Sequence, residues 1–141
     1  MSLPVFVWPL RVYYEDTDAS GVAYHANYLR WFERARTEWL RALGFEQTRL
    51  HDELGIVFTV ASLDVRYRRP ARLDDEVTVE VRVPVVRAAS LQFEQRLLRS
   101  VDGAVLAELS AKVGCVAAPG FRPTALPEAL RAAVAAATGT A

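Results

Sequence analysis

Val77, Val79, Val81, Val83 and Val85 alternate with Thr78, Glu80, Arg82 and Pro84. That period-two pattern marks a strand with one buried face. Three other stretches repeat it. Between Ile56 and Arg68, Leu63, Val65 and Tyr67 oppose Ser62, Asp64 and Arg66. Further on, Leu91, Phe93, Gln95 and Leu97 oppose Gln92, Glu94 and Arg96. Last, Val105, Ala107, Leu109, Ala111, Val113 and Cys115 oppose Leu106, Glu108, Ser110 and Lys112. Breaks fall at residues 70–75, at 87–90 and at Asp102-Gly103, the last a hairpin signal. Such short connections predict antiparallel neighbours.

Ahead of these strands the period changes to that of a helix. Tyr28, Phe32, Ala35, Trp39 and Leu43 recur at helical spacing, widened by Leu29, Trp31 and Leu40. The spacing predicts a helix over 27–43, with Asn27 as N-cap and Gly44 as its stop. A first strand is expected over Leu10 to Glu15, with Val5 to Trp8 as an extension broken at Pro9. One strand, one long helix and four strands give an α+β domain, a curled antiparallel sheet of about five strands wrapped around one helix. The main domain is expected over 1–118, with 119–141 a Pro-containing tail that ends in a short Ala-rich helix from about Pro127 to Ala137. That tail is expected to pack outside the sheet, on a neighbouring subunit, or to fray.

The chemistry gathers where strand gives way to helix, in the run from Tyr13 to Tyr28. Asp18 lies seven residues before His25, so one compact loop can carry both. A helix start supplies unpaired N–H groups and the positive end of the helix dipole. A carboxylate and a histidine beside such a start point to acid/base or nucleophilic chemistry on a polarised carbonyl. Aspartate also serves turns, which alone would account for an isolated Asp16-Thr17-Asp18. Glu15 and Asp16 are expected to shape the loop or face solvent. Glu33, Arg34 and Arg36 read as mid-helix charges in surface or inter-subunit pairs, and His51 as a surface residue.

Composition narrows the classes. Apolar residues form 52% of the 141 and charged residues 24%, which is ordinary globular composition. Seventeen basic residues balance seventeen acidic ones, leaving no positive field for nucleic acid. A single cysteine, Cys115, and two histidines offer neither an internal disulfide nor a metal-ligand cluster. Cys115 falls in an apolar alternation and reads as a buried structural thiol. Pro9 and Arg11 interrupt the early apolar stretch, and no apolar run is long enough to span a bilayer. The expected location is cytoplasmic.

The order Tyr-Glu-Asp-Thr-Asp (14–18 within Tyr13 to Asp18), Gly21-Val22, Tyr24-His25-Ala26, Tyr28, then Phe32-Glu33-Arg34-Ala35-Arg36-Thr37-Glu38 is long and specific. It resembles the hot-dog-fold acyl-CoA thioesterases, in the branch grouping the Tol–Pal-associated enzymes with the 4-hydroxybenzoyl-CoA thioesterases. The resemblance spans Trp8 to Ala118, and His25 matches the Tol–Pal-associated members. It implies Asp18 as the catalytic carboxylate, either attacking the thioester or activating water. It implies backbone N–H groups near His25 as the oxyanion hole, with His25 protonating the departing thiolate or holding Asp18 and water. Tyr14 is expected to line the acyl pocket, with Tyr24 and Asn27 as further substrate contacts. No metal or redox cofactor is implied, because coenzyme A arrives as part of the acyl-CoA substrate. Its phosphates need cations, for which Arg69 and Arg87 are favoured among Arg66, Arg68, Arg69, Arg72 and Arg87. Strand charges that blunt a sheet edge account for these arginines as well. The family pairs subunits across the sheet edge, so a homodimer or homotetramer is expected. Two other readings share the fold: a non-catalytic acyl-CoA-binding protein, and a hydroxyacyl-thioester dehydratase.

Overall fold

The computed structural model describes residues 5–139. Strand β1 (Phe6–Arg11) is followed by a short 3-10 turn over Tyr14–Asp16 and by helix α1 (His25–Ala42). Helix α2 (Gln47–Leu54) leads into four strands: β2 (Ile56–Tyr67), β3 (Glu76–Val86), β4 (Ser90–Arg99) and β5 (Val105–Ala117). Helix α3 (Glu128–Thr138) closes the described chain. The strands form one antiparallel sheet in the order β1-β3-β4-β5-β2.

The valine alternation holds from Val77 to Val83 and fails at Val85, which is exposed beyond a register shift between Arg82 and Val85. Val77, Val79, Val81 and Val83 are buried, as are Leu91, Phe93 and Leu97 on β4 and Leu109, Ala111 and Val113 on β5. Against them α1 lays Tyr28, Trp31, Phe32, Ala35, Trp39 and Leu40, all buried. Each large side chain so removed from water contributes about 1.5–3 kcal/mol. This is the hot-dog arrangement, a curled sheet wrapped on one long helix.

The first strand lies earlier than its sequence predicts, over Phe6–Arg11 rather than Leu10 to Glu15. Pro9 is tolerated because β1 is an edge strand, paired on one side only, with Pro9 opposite Thr78. The chain leaves the sheet after Arg11 because the Asp16 carboxylate accepts from the Tyr13 N–H at 2.8 Å and winds residues 14–16 into a turn. Helix α1 begins two residues before its expected start, with Tyr24 as N-cap, so Asn27 is not the cap. Gly44, in the left-handed region at φ +95°, follows the C-cap Leu43 and ends the helix. Helix α2 was not expected; its eight residues are polar but for Leu50, which is buried, and Leu54, and His51 is exposed on it.

Two features of the packing bear on function. The tail is part of the core: Leu126, Leu130 and Val134 are buried in the same cluster as α1 and β3, against the expectation of an outer or fraying helix. Their periodicity was hidden by alanines, which mark no apolar face. By contrast the outer edge of β2 is open, with Val60, Leu63 and Tyr67 each more than two-fifths exposed.

Candidate active site

Asp18 opens a tight turn. Its N–H donates to the Val22 carbonyl at 2.9 Å and its own carbonyl accepts from the Gly21 N–H at 3.1 Å. Gly21 takes φ +84°, a conformation that an L side chain resists. The Asp18 carboxylate is exposed, and its Oδ1 accepts from both the backbone N–H (2.8 Å) and the hydroxyl of Ser20. The Ser20 hydroxyl, then the Ser20 N–H, hold the Asp18 carboxyl below its ordinary 3.8, and the charge of His25 adds to the effect. Asp18 is therefore ionised at neutral pH, with Oδ2 left for chemistry.

A buried pair seats this turn on the helix. Asp16 accepts through Oδ1 from the Asn27 side-chain amide at 2.7 Å, and its main-chain oxygen accepts from the Tyr24 N–H at 2.7 Å. Both side chains are buried. A carboxylate here also faces the positive end of the α1 dipole. Asn27 is thus a clamp inside the first turn of α1; its side-chain oxygen takes Arg30 at 3.4 Å. The second strap is a backbone bond from Ala23 N–H to the Ala71 carbonyl at 2.8 Å, with Ala71 N–H donating to the Tyr28 hydroxyl at 2.8 Å.

At the start of α1, among the described residues, the N–H groups of His25 and Ala26 have no acceptor, while that of Asn27 reaches the Tyr24 carbonyl at 2.9 Å. The His25 side chain is exposed, its ring 4.5 Å from that of Tyr24. Tyr67 donates its hydroxyl to the His25 carbonyl at 2.8 Å. An ionised carboxylate, an imidazole and two unpaired N–H groups therefore share one helix start, which can polarise a carbonyl and receive an attack upon it.

The other expected residues distribute unevenly. Tyr14 is on the 3-10 turn, not on a strand, and is 82% exposed beside Arg11, Tyr13 and Leu73. Arg69 is exposed two residues from Ala71, and so near the turn; Arg72 lies nearer still, its backbone bridged to Val22. Arg87 follows β3 at its far end, roughly 35 Å along that strand from the end nearest Asp18. Within one protomer it is not brought to the loop. Ser20, and the bond from Tyr67 to the His25 carbonyl, escape a reading of the sequence. A hydroxyl two residues after an aspartate is a recognisable turn signal, whereas nothing local marks Tyr67.

A cavity of about 230 Å³ opens between α1, α2 and the β2 side of the sheet, walled by Trp39, Phe58, Leu91, Phe93 and Val113 with Arg36 among them. Among the described residues no group of three His, Cys, Asp or Glu side chains is placed to hold a metal ion. Cys115 is buried, which raises its thiol pKa and leaves it a poor nucleophile. No helix among the described residues is long and apolar enough to cross a membrane.

Residues 12–134 match the model of the thioesterase-like superfamily. The chain is 48% identical over 128 residues to the acyl-CoA thioesterase YbgC of Haemophilus influenzae, covering 91% of this chain and 93% of that one. It is 43% identical over 130 residues to the acyl-CoA thioester hydrolase YbgC of Escherichia coli O6:H1, covering 92% and 96%. Its fold superposes on the crystal structure of a 1,4-dihydroxy-2-naphthoyl-CoA thioesterase from Synechocystis with a TM-score of 0.86, at 20% identity and covering 92% and 95% of the two chains.

Proposed function

The chain belongs to the thioesterase-like superfamily and is a thioester hydrolase, and on that footing we propose that it cleaves an acyl-CoA to the free acid and coenzyme A. The observation that carries this reading is the pairing of an ionised Asp18 with the open N–H groups of His25 and Ala26. The thioester oxygen sits on those N–H groups, which stabilise the negative charge that develops on it. Because Ser20 occupies Oδ1, Oδ2 is the reacting oxygen of Asp18.

Two routes satisfy this geometry. In one, Oδ2 attacks the carbonyl carbon, the C–S bond breaks, and a mixed acyl anhydride forms; water then cleaves it and restores the carboxylate. In the other, Oδ2 takes a proton from water, and the hydroxide so formed attacks the carbon directly. In both, His25 supplies the proton to the departing thiolate. The acyl group is short- or medium-chain aliphatic, or aromatic.

The open β2 edge favours a homodimer, or a homotetramer built from two. Two-fold antiparallel pairing of β2 sets the Tyr67 end of one protomer, with its Asp18 turn, against the Phe58 end of the other. The acyl group then lies against both copies. Arg69 from one protomer and Arg87 from the other become the cations for the coenzyme A phosphates.

Thiol release from a panel of acyl-CoAs, comparing wild type with Asp18→Asn, tests the reading. Turnover that collapses in a folded Asp18→Asn supports it. Equal rates remove Asp18 from the mechanism, and no turnover by either protein, with acyl-CoA still bound, leaves a binding protein.

A further inference from the structure

The least explained group beside the core is a half-buried cation. Arg36 lines the 230 Å³ cavity, whose other walls are largely aromatic and aliphatic. Nothing in the chemistry at Asp18 uses it. It lies eleven residues along α1 from His25, about 16 Å at the helical rise.

The fold holds this cation in place deliberately. Gln95 is 2% exposed, at a β4 position flanked by inward-facing Phe93 and Leu97. A buried amide is costly unless both its ends are bonded. Its oxygen accepts from Arg36 Nη1 at 2.9 Å, and its nitrogen donates to the Phe32 carbonyl at 3.0 Å. The Phe93 ring centre lies 5.9 Å from the guanidinium carbon. Burial pushes the Arg36 pKa down from its ordinary value, partly offset by the charge of Glu33 at the cavity rim.

Arg36 is nevertheless unsatisfied as an ion. Among the described residues it is in no ion pair, and Glu33, three residues earlier and exposed, does not reach it. Gln95 takes one of its five N–H groups. Among the described residues no sealed side-chain nitrogen lacks a partner. The remaining nitrogens of Arg36, which lines the cavity, are therefore open to solvent rather than sealed in the packing.

We propose that this cavity receives the far end of the acyl group and that this end carries a carboxylate, making the substrate class an ω-carboxyacyl thioester. The proposal rests on the thioesterase reading and narrows its acyl class. A carboxylate accepts two parallel N–H bonds from a guanidinium, and a partly desolvated cation gains more from an anion than from a neutral hydroxyl. The walls formed by Trp39, Phe58 and Leu91 take the methylenes that precede it. A methyl-ended chain of the same length leaves the guanidinium facing hydrocarbon, which the site disfavours.

The test compares kcat/KM for CoA thioesters matched in length, one ended by a methyl and one by a carboxylate, across short to medium chains. Wild type is expected to favour the carboxylate-ended member by about tenfold to a hundredfold at one length. The length at which the ratio peaks measures the separation of thioester and guanidinium, in the same protomer or across two. Arg36→Met is expected to abolish the ratio and Arg36→Lys to keep part of it. Equal rates at every length in wild type, or a ratio that survives in Arg36→Met, overturn the proposal while hydrolysis stands. Thiol release from none of the thioesters is a separate failure, which removes the hydrolase reading and the proposal with it. The wild-type comparison decides the matter even where Arg36→Met does not fold.

Discussion

Tyr67, the last residue of β2, donates its hydroxyl at 2.8 Å to the main-chain oxygen of His25, the first residue of α1. The bond ties the open edge of the sheet to the helix start proposed to polarise the thioester. Its ring also stands edge-on to Tyr28 at 5.1 Å, and Tyr28 in turn receives the Ala71 N–H. Tyr67→Phe keeps the ring contacts and removes only the hydroxyl bond. A loss of about 0.5–1.5 kcal/mol in unfolding free energy is expected. A fall in kcat larger than that in stability, read by thiol release beside thermal melting, identifies the bond as positioning the helix start.

On the proposed role of Asp18, Ser20 is expected to set the acid limb of activity. Its hydroxyl is the largest influence holding the Asp18 carboxyl below 3.8, and its N–H the next. A group with a depressed folded pKa stabilises the fold above the unfolded value and loses that contribution as pH falls through the folded value. Asp18 is exposed, so the signature to follow is activity. In Ser20→Ala the carboxyl rises toward 3.8, and the acid limb of the kcat/KM profile moves to higher pH. An acid limb unmoved from wild type separates Asp18 from that limb.

Asn27→Ala leaves one oxygen of the buried Asp16 carboxylate without its 2.7 Å donor. An unsatisfied buried acceptor costs about 1–3 kcal/mol, more when charged. The melting temperature is expected to drop accordingly, and activity to fall further because the Asp18 turn loses its seat on α1. Asp16→Ala with Asn27→Ala together should cost less than the sum of the two single changes, since each removes the bond between the two side chains. Additive losses in that cycle exclude the clamp.

The parts of this architecture that sequence alone conveyed are those with a period. Alternation along β3 and the wide stripe of α1 each announce one buried face, and together they imply a sheet wrapped on a helix. What escaped depends on neighbours distant in the chain. Pro9 reads as a break until β1 is known to be an edge strand. Asn27 reads as a cap until Asp16 is seen to claim its amide eleven residues back. Gln95 sits among apolar alternates, and only its contact with Arg36 and the Phe32 carbonyl gives it a purpose. At the site, Asp18 and His25 stand out because both lie within one loop before a predicted helix, whereas Tyr67 reaches His25 across 42 residues.

The exposed side of β2 supplies the last expectation. Val60 and Leu63 are 43% and 44% exposed on a strand of twelve residues that, among the described residues, pairs only with β5. A long open edge with apolar side chains is a site of association unless it is blunted. Charged residues such as Asp64 and Arg66 lie on the same strand, but they pair with each other at 3.8 Å and do not interrupt the apolar positions. In solution the wild-type chain is expected to sediment as a dimer or tetramer. Leu63→Arg should shift it toward monomer by opposing like charges across the two-fold. On the proposed dimer, with the acyl group between copies, it should lower kcat/KM in parallel. Sedimentation and thiol release over the same concentration range check this. A monomeric Leu63→Arg that retains full activity locates the whole site within a single protomer.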